Sequence, residues 1–98
     1  MSFAGGSYGE VARWLHNFLT SHAKREDVHA EVELESGAER EEKTYGARFR
    51  LGGEVSDLIE LDYRTVADHR GELQWCRDLA ERTRASVRDL GRSVTRRS

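Results

Sequence analysis

The sequence predicts an α+β domain in which two helices cover one face of a three-stranded antiparallel sheet. An apolar stripe with spacings of three and four residues occurs near each end of the chain, and apolar and charged residues alternate in the middle segment. Because each pattern leaves one side of its element apolar, the elements can bury a common core only as two layers. The expected order is a two-layer α-β-β-β-α sandwich with both helices on one face of the sheet.

The first helix is expected to begin at Ser7, because Ser7-Tyr8-Gly9-Glu10 has the S-x-x-E form of a capping box. In that motif the serine hydroxyl and the glutamate carboxylate each accept a hydrogen bond from a backbone amide. One side of the helix then carries Val11, Trp14, Leu15, Phe18, Leu19 and His22. This helix is therefore predicted to pack in the core.

The middle segment predicts three strands whose apolar side chains face inward. The inner residues are Val28, Ala30, Val32 and Leu34, then Tyr45, Ala47, Phe49 and Leu51, then Ile59, Leu61 and Tyr63. Matching these faces predicts the inner rows Ala30–Phe49–Ile59, Val32–Ala47–Leu61 and Leu34–Tyr45–Tyr63, and the outer row Glu31–Arg48–Glu60. This register requires a loop over 51–57, because a tight turn at Gly52-Gly53 would place Phe49 opposite Ser56.

The last helix is expected to be capped by Thr65 or Asp68 and to carry an apolar stripe from Leu73 to Val94. Leu90-Gly91 is typical of a helix end, because glycine tolerates the left-handed conformation that closes helices. The chain is thus predicted to be a single domain over residues 1–98. Its ordered core spans about 7–91, and the segments 1–6 and 92–98 are expected to be flexible.

Composition narrows the classes of function. The longest apolar runs fall far short of the ~20 residues that cross a bilayer, and the single Cys76 cannot form an internal disulfide, so a cytoplasmic protein with no membrane contact is expected. Residues 1–69 hold eight Lys and Arg against fourteen Asp and Glu, a balance of −6, whereas residues 70–98 hold eight against four, a balance of +4. This asymmetry favours an interaction with a partner.

The residue pattern gives no indication of an enzyme active site. Cys76 lies on the apolar stripe of the last helix, which indicates a structural thiol rather than a reactive one. The four histidines, His16, His22, His29 and His69, show no metal-ligand spacing, and the chain has no paired cysteine motif. The sequence therefore predicts neither an enzyme nor a metal or cofactor site.

Element lengths point to the last helix as the interaction site. A seven-residue strand spans roughly 23 Å, whereas a helix from Asp68 to Leu90 spans about 34 Å, so the end of the helix is expected to overhang the sheet. The predicted partner-binding surface consists of Arg84, Val87, Arg88, Leu90 and Val94. Its partner would be a second copy of the chain, giving a homodimer, or another protein. In a competing account, the first helix and the loop at 52–57 cover these residues within one chain.

RNA or DNA binding is the alternative function. Its candidate residues are the arginines of the last helix: Arg77, Arg84, Arg88, Arg92 and Arg96. In element order the chain is similar to double-stranded-RNA-binding domains and to the Alu-binding proteins of the signal recognition particle. That likeness is topological, since the Lys-rich start of the last helix in double-stranded-RNA domains has no counterpart in residues 67–72. The leading hypothesis is therefore a protein–protein interaction module.

Overall fold

A computed structural model describes the chain over residues 7–97, with side chains described through Ser93. The segment 1–6, predicted to be flexible, lies outside the described residues. The elements in chain order are α1 (Tyr8–Glu26), β1 (Glu31–Glu35), β2 (Thr44–Leu51), β3 (Glu54–Val55), β4 (Ile59–Asp62), α2 (Tyr63–His69) and α3 (Leu73–Arg97). In the one antiparallel sheet they form, β2 is central, with β1 on one side and β3 and β4 on the other. The long helices pack on this sheet and on each other, which confirms the α+β class.

The predicted start of α1 is confirmed. Ser7 N donates to Glu10 Oε1 at 3.0 Å, and Glu10 N donates to Ser7 Oγ at 3.2 Å, which completes the capping box. The side chains that α1 buries recur every four residues: Val11, Leu15, Leu19 and Ala23.

The first strand is shorter than the sequence predicts. Val28, expected on the inner face, is 71% exposed, because the chain turns at this point before β1 begins at Glu31. Lys24 Nζ, near the end of α1, donates to the backbone oxygens of Val28 at 3.1 Å and of Ala30 at 3.0 Å. These hydrogen bonds satisfy carbonyl groups that a longer strand would have paired.

The predicted inner and outer faces of the sheet are confirmed, but the predicted register is wrong by two residues. Val32, rather than Ala30, lies opposite Phe49. On the outer face Glu33, rather than Glu31, lies opposite Arg48. A shift of two residues leaves every side chain on its original face, so alternation alone cannot distinguish these two registers.

The third strand is divided by a bulge. Gly52 and Gly53, with φ of 57° and 86°, form a tight turn, so the predicted loop over 51–57 is wrong. Ser56 N donates to Phe49 O at 2.8 Å, yet Ala47 lies opposite Ile59. Residues 57 and 58 therefore share the place opposite residue 48, as in a β-bulge. The extra residue lets a tight turn coexist with an inward-facing Ile59.

Gly46 makes room on the outer face for Arg40, which comes from the loop between β1 and β2. The Arg40 guanidinium donates two hydrogen bonds to Glu60, Nη1 to Oε1 at 2.7 Å and Nη2 to Oε2 at 3.1 Å. Its Nη2 also lies 3.5 Å from Oε1 of Glu35. A Cβ on residue 46 would lie only 2.9 Å from Nη2. Arg40 thus links β1 to β4 across β2, and its hydrogen bond lowers the pKa of the Glu60 carboxyl.

The chain leaves the sheet earlier than the sequence predicts. Asp62 caps α2 by accepting a hydrogen bond from Thr65 N at 3.0 Å. Thr65 and Asp68, the expected caps of the last helix, lie inside α2, whereas α3 begins at Leu73, so that expectation is wrong. Tyr63, expected on the inner face of the third strand, is the first residue of this short helix. The sheet is consequently shorter on this side, and a second helix start is needed at Leu73.

The last helix runs through Gly91 to Arg97, so the predicted helix end at Leu90-Gly91 is wrong. Glycine inside a helix costs about 1 kcal/mol relative to alanine. Tertiary packing offsets that cost here, because α3 lies close to β2: a Cβ on residue 91 would be 3.7 Å from Leu51 Cδ2.

Candidate functional site

The structure buries the centre of the predicted partner-binding surface. Val87 is 1% exposed and Leu90 is 7% exposed, and both belong to the hydrophobic core of the same chain. The hairpin that follows β2 lies beside them, since Val55, Ser56 and Leu90 line one shallow cavity. The expectation that Val87 and Leu90 overhang the sheet is therefore wrong. The side chain of Val94 lies outside the described residues.

Three of the candidate arginines bind carboxylates of the same chain. Arg84 Nη2 lies 2.9 Å from Glu81 Oε1, and Arg92 Nη1 lies 3.4 Å from Asp89 Oδ1. Arg88 makes two contacts with Glu26 of α1, Nε to Oε2 at 3.2 Å and Nη2 to Oε1 at 3.3 Å. Their positive charge is thus partly neutralised, which weakens a continuous basic stripe. The side chain of Arg96 lies outside the described part of the chain.

Arg77 and Arg84 both line a groove between α1 and α3, which we call the α1–α3 groove. Its volume is about 500 Å³, and its lining residues are Phe18, His22, Arg25, Leu73, Cys76, Arg77, Ala80, Glu81 and Arg84. The two helices run in the same direction, since Trp14 contacts Trp75 near their starts and Glu26 contacts Arg88 further along. The groove follows the early turns of α3, whereas the predicted surface lay on its later turns.

A row of five aromatic rings extends from this groove, which we call the aromatic row. Ring centroids are 6.3 Å apart for His69 and Trp75, 6.4 Å for Trp75 and Trp14, 5.0 Å for Trp14 and Phe18, and 4.5 Å for Phe18 and His22. All five side chains are half-buried. The three inner rings have an aromatic neighbour on each side, so they offer edges rather than free faces to a ligand.

The spacing of residues in α1 contains the signal for this row. The sequence predicts that Trp14, Phe18 and His22 belong to the core together with Leu15 and Leu19. In the structure, residues 11, 15, 19 and 23 fill the core side of α1, and the parallel set at 14, 18 and 22 lies at its margin. The set at 11, 15, 19 and 23 makes the contact with the core. The set at 14, 18 and 22 therefore indicates a second contact surface on the same helix.

The environment of the groove favours the neutral forms of two titratable side chains, His22 and Cys76. Burial lowers the pKa of His22, and the positive charges of Arg25 and Arg84 lower it further, so the ring is uncharged at pH 7. Burial raises the pKa of the Cys76 thiol, whose Sγ donates to Arg70 O at 3.3 Å. A protonated thiol is a poor nucleophile. The groove therefore offers apolar contact and fixed arginine charge.

No protein-family model, curated protein or solved structure matches this chain. Within residues 7–97, no group of three His, Cys, Asp or Glu side chains is placed to hold a metal ion. None of the helices in that range combines the length and the apolar character needed to cross a bilayer. The functional proposal below is accordingly based on the geometry of the α1–α3 groove.

Proposed function

We propose that this chain is a non-enzymatic module that docks on another protein through the α1–α3 groove. The observation that supports this most directly is apolar surface left uncovered at the groove. Of its lining residues, Leu73 is 68% exposed and Phe18 is half-buried, and ring contacts continue from Phe18 to the half-buried Trp14 and Trp75 of the aromatic row. Contiguous apolar surface of this kind marks a contact site in soluble proteins, because its burial by a partner is favourable.

The groove suits a protein better than a nucleic acid. Aromatic residues that bind single-stranded RNA or DNA present free ring faces on which bases stack. In the aromatic row those faces meet neighbouring rings, as for Trp14 between Trp75 and Phe18. The arginine stripe of α3 that the sequence offers for phosphate contacts is also interrupted, because Arg84, Arg88 and Arg92 already bind carboxylates. A protein partner, in contrast, can pack its side chains against ring edges and against the apolar side chains between them.

Charge argues against a symmetric homodimer through this groove. A two-fold axis would set the same patch of two copies face to face. Arg25, Arg77 and Arg84 of one copy would then approach the same three residues of the other, with Glu81 as the only carboxylate lining each groove. Like charges brought together in an interface oppose association. A different protein is therefore the better partner.

Site-directed photocrosslinking tests this function. A photoreactive residue is placed at Leu73, and in a second protein at Val28, which is 71% exposed and follows the far end of α1. Both proteins are irradiated in extract of the source cells, with and without an excess of the parent chain. We expect an adduct at position 73 that protease removes and nuclease does not, and that the parent chain competes away.

The control at position 28 makes the result specific to the groove. Equal adducts at both positions would show non-specific contact and would refute the proposal. An adduct that nuclease removes would support nucleic-acid binding instead. A linked homodimer, together with a mass that rises with concentration in sedimentation, would show that the partner is a second copy of this chain.

A further inference from the structure

We infer that the segment docked in the α1–α3 groove is an amphipathic helix with carboxylates along its flanks. This inference rests on the proposed function and specifies the partner's shape and charge. It follows from two properties of the groove: the charges at its rim, and the spacing of the residues along its floor.

The rim of the groove is positive on both sides. Arg25 lies on the α1 side, and Arg77 and Arg84 lie on the α3 side. Glu81, the one acidic residue of the lining, is bound to Arg84 at 2.9 Å. Within the described residues, neither Arg25 nor Arg77 lies within ion-pair distance of a carboxylate. A partner with acidic flanks would supply the missing counter-charges on both sides.

The floor of the groove has the spacing of a helix-packing surface. Along α3 it is lined at positions 73, 76, 77, 80, 81 and 84, which lie on one side of the helix. Phe18 and Ala80 make this floor apolar, and the small Ala80 side chain allows close approach. Backbone amides and carbonyls within both helices are paired internally, so the groove offers no free edge to an extended strand. A helix, whose side chains form ridges, fits this surface.

The length of the groove sets the length of the docked helix. From Leu73 to Arg84, α3 rises about 16 Å, which matches about three turns of a partner helix. Three turns present apolar anchors at positions i, i+3 or i+4, and i+7, and leave the positions on either side for acidic residues.

Two labelled peptides test the charge and shape of the partner directly. Both are helical, about 14 residues long, and carry the same leucine and alanine face. One has glutamates on its flanks and the other has lysines at the same positions. Fluorescence anisotropy with the full chain is expected to give binding of the glutamate peptide about tenfold tighter than of the lysine peptide, and the difference should shrink in about 0.5 M NaCl.

Charge reversal at the rim supplies the matched variants. Arg25→Glu with Arg77→Glu should reverse the preference between the two peptides. Arg13→Glu with Arg82→Glu makes the same change of net charge on the same two helices, outside the groove, and should leave the preference as it is. All four arginines are exposed, so both double variants are expected to keep the fold of the parent, which circular dichroism checks.

The outcomes separate this inference from the proposed function. If both peptides bind equally and Leu73→Ser weakens both, the groove docks helices but the acidic character is refuted. If neither peptide binds while the crosslink at position 73 forms, docking stands and a helical partner is refuted. If neither peptide binds and no crosslink forms at position 73, the proposed function itself is refuted. Tighter binding of a single-stranded oligouridylate that requires Arg25 and Arg77 would overturn both.

Discussion

Replacing Gly46 by alanine should destabilise the fold through Arg40. A Cβ at this position would lie 2.9 Å from Arg40 Nη2 and 3.0 Å from Arg40 Cζ, so the guanidinium must move. Because the guanidinium ends a flexible side chain, its displacement costs toward the lower end of the about 1–3 kcal/mol typical of over-packing. The displaced guanidinium also loses its hydrogen bonds to Glu60, a loss that solvent screening keeps small because Glu60 is exposed. Removing a glycine from a strand returns about 0.5–1 kcal/mol.

The net expectation is a loss of about 1 kcal/mol in the free energy of unfolding, or about 5 °C in melting temperature for a domain of this size. Urea denaturation followed by circular dichroism measures the free energy. The informative comparison is a double-mutant cycle with Arg40→Ala. Without the guanidinium, the remaining close atom is Leu58 Cδ1 at 3.1 Å, at the end of a flexible side chain. In that background Gly46→Ala should cost little or nothing.

Gly37→Ala is the matched control, because a Cβ there meets no atom within 4 Å. It should change stability by less than about 0.5 kcal/mol. A Gly46→Ala protein as stable as the parent would refute the reasoning. Equal losses in the presence and absence of Arg40 would also refute it, since they would show that the guanidinium does not occupy the space above residue 46.

Three further substitutions probe the core, a helix cap and one titration. Val87→Ala should lower the free energy of unfolding by about 2 kcal/mol in urea denaturation and leave the sedimenting mass unchanged, because Val87 contacts its own chain. Ser7→Ala should cost about 1 kcal/mol in the same assay by removing the cap of α1. The folded state lowers the pKa of His22 below 6.5, so the unfolded chain binds more protons as the pH falls through about 6.5, and the protein loses stability. His22→Gln should lessen this fall in melting temperature between about pH 6.5 and 5.

Each of these expectations has a clear contrary result. If Val87→Ala keeps the parental stability but lowers the mass at high concentration, Val87 lies in an interface between chains and not in the core of its own chain. An unchanged stability in Ser7→Ala would mean that the capping box contributes nothing. If His22→Gln and the parent lose stability in parallel on acidification, the titration of His22 does not control it.

Alternation of apolar and charged residues determined which side of each strand faces the core, but not which residues pair. A shift of two residues preserves both faces, so the pairing of Phe49 with Ala30 or with Val32 is undetermined by pattern alone. On the other side of β2, the tight turn at Gly52-Gly53 sets the pairing of β2 with β3, and the bulge at residues 57 and 58 then restores the inward face of Ile59. A bulge inserts one extra residue and so interrupts the alternation, which means that the alternation itself cannot predict it.

Two local signals in the second half of the chain were outweighed by other interactions. Gly91 reads as a helix end, yet α3 continues past it where the helix lies against Leu51. Tyr63 continues the alternation of the third strand, yet Asp62 caps a helix at this point. In both cases the local preference is about 1 kcal/mol, which contacts elsewhere in the fold can outweigh.

The docking surface is predicted at the end of the last helix, whereas the α1–α3 groove lies along its first turns. The last helix is indeed longer than the sheet: α3 has 25 residues and β2 has 8, or about 37 Å against about 26 Å. The sequence predicts the overhang at the C-terminal end. Because α2 takes up the chain between β4 and α3, and the hairpin after β2 reaches Leu90, the turn of α3 that carries Val87 and Leu90 is covered instead.

The uncovered turns are therefore the first ones. No residue of α3 before Leu79 is fully buried, and Leu73 is 68% exposed. Over these turns α3 contacts α1 through Trp75 and Trp14 rather than through the core. The aromatic row and the α1–α3 groove occupy this stretch because two helices meet there at the margin of the sheet, and their apolar margins stay partly in water. A partner helix would complete this packing as a third helix does in a bundle, which is why the exposed Leu73 and not the buried Val87 is the position to label.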